Sequence, residues 1–401
     1  MKITKLSLAA IAAMTITTGA MAEGWAHTGQ AVAYTQTVDQ SGNGDLFGSD
    51  STYGAVGLQL GAVNKNLFNG VGAGVEVSGI HNDDGQAGGF YGGGGNAGTT
   101  SGGVTQAYLT YGAGNTSFKL GRQQLPKSLS PFAYSEGWQI FKNTYDAARV
   151  VNTDIENTTL VYAYVKNSNR SVGAYADEDS FTGLAAGAIN DGVHMIAAST
   201  KAIPNATVTG TAYQTSDVTT YGDTTVLWVD AKTKVGPVGV ALQGGQMSVD
   251  AAGRDDTSAF GAKVSGKAGP VNLSLAYSKV GGDGTGLGVT NLGTGVKSPL
   301  YTQMVLNNVG QYHARQGAEF TKLFATTKAG GGTVKAGYGM GTNDNNSATD
   351  YSEFDLMYVK KLTPNTKVFA AYVRTNDDGA AATGSIPNDN NFVRVWGRYS
   401  F

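Results

Sequence analysis

The sequence predicts an all-β protein: a transmembrane antiparallel β-barrel of 18 strands with an inward-folded constriction loop. Three observations predict it. The last strand ends on an aromatic residue at Phe401, period-two blocks of about ten residues recur along the chain, and the connections between them alternate between tight turns and long loops.

In the terminal segment, Val393, Val395, Gly397, Tyr399 and Phe401 share one face, and Arg394, Trp396, Arg398 and Ser400 share the other. One face is oily and one polar, as a strand between lipid and water requires. By this parity Trp396 points inward with the two arginines, outside any lipid-facing aromatic girdle. At the other end, Lys2 and Lys5 precede an apolar run from Leu6 to Met14 and the small-residue site Ala20-Met21-Ala22. This is the pattern of a secretory signal peptide over residues 1–22, leaving 23–401 as the barrel domain. The apolar run is too short to span a membrane as a helix.

Composition excludes several classes. The formal charge is −2, so a nucleic-acid partner is not expected. There is no cysteine, hence no disulfide framework and no thiolate metal site. Charged residues make up 14% of the chain, against about 25% in ordinary soluble proteins. Together with 59 glycines and 20 tyrosines this suits a barrel carrying aromatic girdles.

Eighteen alternating blocks lie near residues 29–39, 51–61, 70–81, 103–113, 116–126, 145–153, 158–167, 192–202, 205–215, 223–235, 237–249, 257–268, 271–280, 310–325, 333–341, 351–362, 366–376 and 391–401. Gly114-Asn115, Asp154 to Asn157, Pro204-Asn205, Gly236-Pro237, Gly269-Pro270, Gly330 to Gly332 and Pro364-Asn365 are tight-turn chemistry. The long segments 81–102, 167–191, 281–309 and 376–390, rich in Gly, Asn, Asp and Ser, read as external loops. A solenoid would repeat a motif at fixed period, and none is present.

The alternation assigns faces. Phe354, Leu356 and Tyr358 oppose Glu353 and Asp355; Phe260, Ala262 and Val264 oppose Lys263; Tyr312, Ala314, Ala318 and Phe320 oppose His313, Arg315 and Glu319. A lipid-facing charge near the midplane costs about 2–4 kcal/mol, so the charged faces should look inward. Eighteen strands enclose more space than side chains fill, so a water-filled lumen is expected.

Residues 125–146 stand apart. This connection is poor in Gly and carries Phe132, Tyr134, Trp138, Phe141 and Tyr145, which favours a packed location inside the barrel over an external one. Leu120-Gly121-Arg122-Gln123, Ser130-Pro131-Phe132, Glu136-Gly137-Trp138, Phe141 to Ala147 and Val151 to Ile155 resemble Opr-type porins, including the major outer membrane proteins of Campylobacter relatives. The resemblance implies a trimeric barrel in the Gram-negative outer membrane, contacting its lipid and passing ions and small hydrophilic solutes. Some relatives hold a lumenal calcium ion; no matching ligand set is found, so no metal or cofactor is assigned. The competing reading is a surface barrel acting mainly as an adhesin or receptor through its long loops.

The expected constriction residues are Glu136, Lys142, Asp146 and Arg149. Expected to line the pore are Arg374, Arg394, Arg398, Glu353, Asp355, His313, Arg315, Glu319 and Lys263. Opposed acidic and basic walls would set a transverse field across the channel. Arg122 shares parity with the oily Phe118 and Leu120, so either the strand is bulged there or the arginine sits at an interface. No enzymatic activity is expected: His27, His81, His194 and His313 lie on separate segments, none in a nucleophile elbow or a metal-spaced cluster, and the Gly-rich stretch 88–103 has neither Lys nor strand-to-helix context.

Overall fold

A computed structural model describes residues 24–40, 45–49, 51–82, 100–169, 182–307, 312–345, 350–377 and 390–401. The leader assigned to residues 1–22 lies outside the described residues, as do residues 83–99, 170–181 and 378–389 of the long loops.

The strands are β1 Trp25–Gln40, β2 Thr52–Phe68, β3 Val71–Asn82, β4 Thr100–Ala113, β5 Thr116–Gln123, β6 Tyr145–Asn152, β7 Thr158–Ser168, the two-residue β8 Thr182–Gly183, β9 Val193–Thr200, β10 Ala206–Val218, β11 Gly222–Val235, β12 Val238–Val249, β13 Thr257–Ala268, β14 Val271–Gly281, β15 Ala318–Ala329, β16 Gly332–Asn343, β17 Tyr351–Lys361, β18 Thr366–Asp377 and β19 Asn390–Ser400. Setting β8 aside, eighteen strands pair antiparallel with their sequence neighbours, β7 pairing directly with β9. The sheet closes where β1 pairs β19 as well as β2, so no edge is left in the wall.

The seam depends on one glycine. Phe401 and Gly29 exchange backbone hydrogen bonds of 3.0 and 2.8 Å, and a Cβ at Gly29 would lie 2.4 Å from the Phe401 ring. The terminal aromatic therefore lies over a gap that only glycine provides. The tight turns gather at this end of the barrel, with Asn157 and Asn205 at positive φ alongside Gly114, Gly236, Gly269 and Gly330. In outer-membrane barrels the short turns face the periplasm.

Burial follows the predicted alternation on most strands. Leu227, Leu242, Phe260, Leu275, Leu323 and Leu356 form an outward apolar belt, each between 42 and 56% exposed. Glu353, Asp355 and Arg394 face inward and are almost fully buried. Trp396 also faces inward, stacked on Phe369 at 5.1 Å.

Two assignments change. The block read as 310–325 begins as strand only at Ala318: residues 312–317 are turns, and Gly317 is left-handed at φ +85°. Parity cannot be carried across such a residue. Ala318 and Phe320 consequently point into the barrel and Glu319 points out, the reverse of the expectation. The connection 281–309 is not an external loop along its whole length either. Val289, Leu292, Leu300, Met304, Val305 and Leu306 are buried inside the barrel.

Candidate functional site

The segment 124–144 crosses the lumen. At one end Phe132 packs edge-on against Tyr213 and Trp228, at 5.6 and 5.2 Å, and its backbone N–H donates to the Tyr213 hydroxyl at 3.2 Å. At the other end Arg394 and Arg398 of β19 donate to the carbonyls of Trp138 and Ile140, each at 2.7 Å. Ile140 and Phe141 lie over Gly57 of β2, where a Cβ would meet the Phe141 ring at 2.9 Å. An aromatic-rich segment without regular structure is thus pinned at both walls, its carbonyls taken by guanidinium groups as burial demands.

A second segment, described over 282–307 and 312–317, lies against it. Leu292 N–H donates to the Phe132 carbonyl at 2.7 Å, and the Asn291 amide donates to the Tyr134 carbonyl and to Glu136 Oε1, both at 2.9 Å. Glu136 Oε1 also accepts from the Thr294 hydroxyl and from the Lys297 N–H at 3.2 Å. The far side is held by β17: Leu306 N–H donates to Glu353 at 2.6 Å and Val305 N–H to Asp355 at 3.3 Å.

These contacts place the sequence-predicted residues. Glu136 is on the crossing segment but is buried among donors from the second segment, so it faces no open water. Lys142 is exposed on the crossing segment, and Arg149 is inward on β6, opposite Lys119 in register. Asp146 is corrected: it points outward and pairs with Arg122 at 3.0 Å. The β5–β6 register is continuous there, so Arg122 is not on a bulge between those strands. Lys263 faces the lumen, its ammonium 4.7 Å from the centre of the Tyr301 ring. Glu353, Asp355, Arg394 and Arg398 face inward as expected, yet they hold loop backbone rather than stand bare in the lumen.

Four further pore-lining expectations are corrected. Arg374 shares parity with the outward Tyr372 and pairs in register with the outward Phe354. Glu319 is outside the wall, bonded to Lys279. His313 is fully buried in the folded second segment, its Nδ1 3.1 Å from the Asn307 carbonyl oxygen, and burial pushes its pKa down to about 3, so it carries no charge at neutral pH. Arg315 is exposed on the turn before β15 and is on no strand face.

The sequence reading missed the chamber beside the crossing segment. A cavity of about 450 Å³ is lined by Lys127, Lys232, Lys263, Asp230, Trp228 and Tyr301, among others. Lys127 donates to the Ser298 carbonyl at 3.0 Å, and burial pushes its pKa down to about 8 against the opposing pull of Glu136. The Tyr301 hydroxyl donates to Asp230 at 2.5 Å; burial first, and then that carboxylate, raises its pKa. The signal for the second segment was available: residues 296–306, Val-Lys-Ser-Pro-Leu-Tyr-Thr-Gln-Met-Val-Leu, are free of Gly and apolar at six positions, unlike a solvated loop.

No protein-family model matches the sequence, and no curated protein matches it. Solved structures do match the fold. Pseudomonas aeruginosa OpdK with vanillate superposes with a TM-score of 0.72 at 16% identity, covering 94% of this chain and 98% of that one. P. aeruginosa OccK8 (OprE) gives 0.70 at 14%, covering 94% and 98%. Acinetobacter baumannii OccAB2 gives 0.71 at 12%, again covering 94% and 98%. The chain has the closed-barrel fold of the Opr-type outer-membrane porins.

Proposed function

We propose that the protein is an outer-membrane porin of a Gram-negative bacterium, through which ions and small hydrophilic solutes diffuse past the crossing segment 124–144. The observation that carries this is the pairing of an outward apolar belt with a charged inner wall around a lumen that two folded segments narrow without filling, leaving the 450 Å³ chamber. Such a wall stabilises ions by fixed charge and hydrogen-bonding groups, and the narrowing sets the size limit. Lys142 and Arg149, with Lys127 and Lys263, are the charges assigned to the water-facing path; Glu136, Arg394 and Arg398 are assigned to holding the constriction in place. No observation favours the adhesin reading. The resemblance read from residues 120–155 supports a trimer and export through the leader at 1–22.

The test is planar-bilayer recording of the purified, folded protein. Stepwise conductance increments are expected, and a folded barrel that inserts without conducting would overturn the proposal.

A further inference from the structure

The two ends of the barrel carry opposite charge. At the long-loop end stand Asp217, Asp223, Asp250, Asp255, Asp283 and Asp344, outnumbering Arg254, Arg315 and Arg374 at the same end. At the short-turn end, strand after strand brings lysine to the inward face: Lys234 on β11, Lys267 on β13, Lys335 on β16, Lys361 on β17 and Lys367 on β18. The turns at this end contribute Asp154 and Glu156 as counter-charges, on the β6–β7 side.

Lys234 on β11 borders an open recess together with Lys263, which lies four residues before Lys267 on β13. The recess, of about 310 Å³, is lined by Lys232, Lys234 and Lys263 with Asn205, Thr207 and Ser265, and it shares Lys232 and Lys263 with the larger chamber above. Asp230 lines the larger chamber and engages Lys232 at 2.6 Å, which leaves Lys234 and Lys263 as the cations beside Thr207 and Ser265. Ammonium groups flanked by hydroxyl and amide donors match the several negative oxygens of a condensed phosphate, and the ring of further lysines raises the local concentration of any polyvalent anion.

We propose that the short-turn vestibule is a binding site for polyvalent phosphate anions, so that such anions occlude the channel from the periplasmic side. This site rests on the porin reading. A monovalent solute gains little from several separated ammonium groups, whereas one anion carrying four or five charges engages them together; the acidic rim at the opposite end repels the same anion.

The probe is inorganic tripolyphosphate, added to one compartment at a time during single-channel recording of the full chain. Orientation is fixed by a biotinylated cysteine at Asn115 on a short turn, in a chain that otherwise has no cysteine, and by streptavidin added to one side. Half-block at a concentration at least tenfold lower from the short-turn side is expected, and Lys234→Glu with Lys263→Glu should remove that difference. Equal block from both sides, or sided block unchanged in the double variant, would overturn the site while leaving conduction standing. Channels that never open in the unmodified protein would instead overturn the porin reading. If the double variant does not insert, Lys234→Gln alone carries the comparison, with a severalfold weaker block expected and an unchanged one counting against the site.

Discussion

Arg394→Met tests what holds the constriction. Arg394 is 1% exposed. Its guanidinium donates to Gln36 Oε1 at 3.0 and 2.5 Å and to the Trp138 carbonyl at 2.7 Å, and lies 4.2 Å from the centre of the Trp138 ring. Methionine keeps most of the apolar stem and deletes the charge. A charged hydrogen bond contributes about 1.5–3 kcal/mol and a desolvated cation–π contact about 2, so the docked end of the segment should lose about 3–5 kcal/mol. That is roughly two to four decades in the population of the released end. The barrel should survive, because its wall is closed by backbone pairing that does not involve this side chain. A cysteine at Ile140, itself 1% exposed, reports release. Placed in both backgrounds, its own cost cancels, and its reaction rate with a water-soluble maleimide should rise at least a hundredfold in the Arg394→Met protein, with larger open-channel noise. A rate within threefold of the parent, in a barrel that still migrates as folded, would refute the assignment of Arg394 to the loop.

Gly57→Val should displace the same segment from the opposite side, since its Cβ would lie 2.9 Å from the Phe141 ring and 3.0 Å from Ile140. Raised single-channel conductance is the expected readout, and an unchanged value would count against the docked geometry. Arg122→Ala and Asp146→Asn should each cost at most about 1 kcal/mol in barrel stability, the pair being partly exposed, and should leave the reversal potential unmoved because they face outward. A reversal-potential shift would put them back in the lumen. For Lys127, docking lowers the pKa from its ordinary 10.5 to about 8. Between these values the undocked segment binds a proton that the docked one does not, so docking strengthens as pH rises while the chamber loses a positive charge. Anion preference measured by reversal potential should therefore fall around pH 8, where Lys297, also pushed down to about 8 by burial, titrates too, so Lys127→Met should shrink that step; a titration identical in the variant would assign it elsewhere.

The wall was legible because lipid enforces strict alternation: the strands between 25 and 281 and between 332 and 400 lie where period-two patterning and turn chemistry put them, to within a few residues, apart from the two-residue β8 and from β2, which runs seven residues past its expected end at 61. The lumen was less legible because nothing enforces alternation there. Gly317, left-handed, interrupts the parity that His313, Arg315 and Glu319 were read by. Arg374 was grouped with Arg394 and Arg398 by charge, although its own neighbours Tyr372 and Phe354 are outward. The crossing segment announced itself through aromatics, whereas the second segment was masked by glycines in its first half. Lys127, Lys232 and Tyr301 form a chamber only through contacts between parts of the chain 69 to 174 positions apart, which local pattern does not encode.

The geometry also explains why the acidic residues nearest the constriction are poor guides to its field. Segments without regular structure that enter a barrel bring backbone N–H groups that find no ladder partners, and buried donors left unmade cost about 1–3 kcal/mol each. Carboxylates answer this need, and Glu136, Glu353 and Asp355 all accept from backbone N–H groups of the second segment. A carboxylate used this way directs its lone pairs into protein. The lysines differ: an ammonium on a long stem satisfies one carbonyl, as Lys127 does, or lies over a ring, as Lys263 does, and still presents charge to the chamber. Glu136, Glu353 and Asp355 are thus turned onto the loops, as Arg394 and Arg398 are, while Lys127 and Lys263 keep charge toward the chamber. On the proposed path, charge reversal at Lys127, Lys263, Lys142 or Arg149 should therefore move ion preference further than neutralising any of the three buried carboxylates.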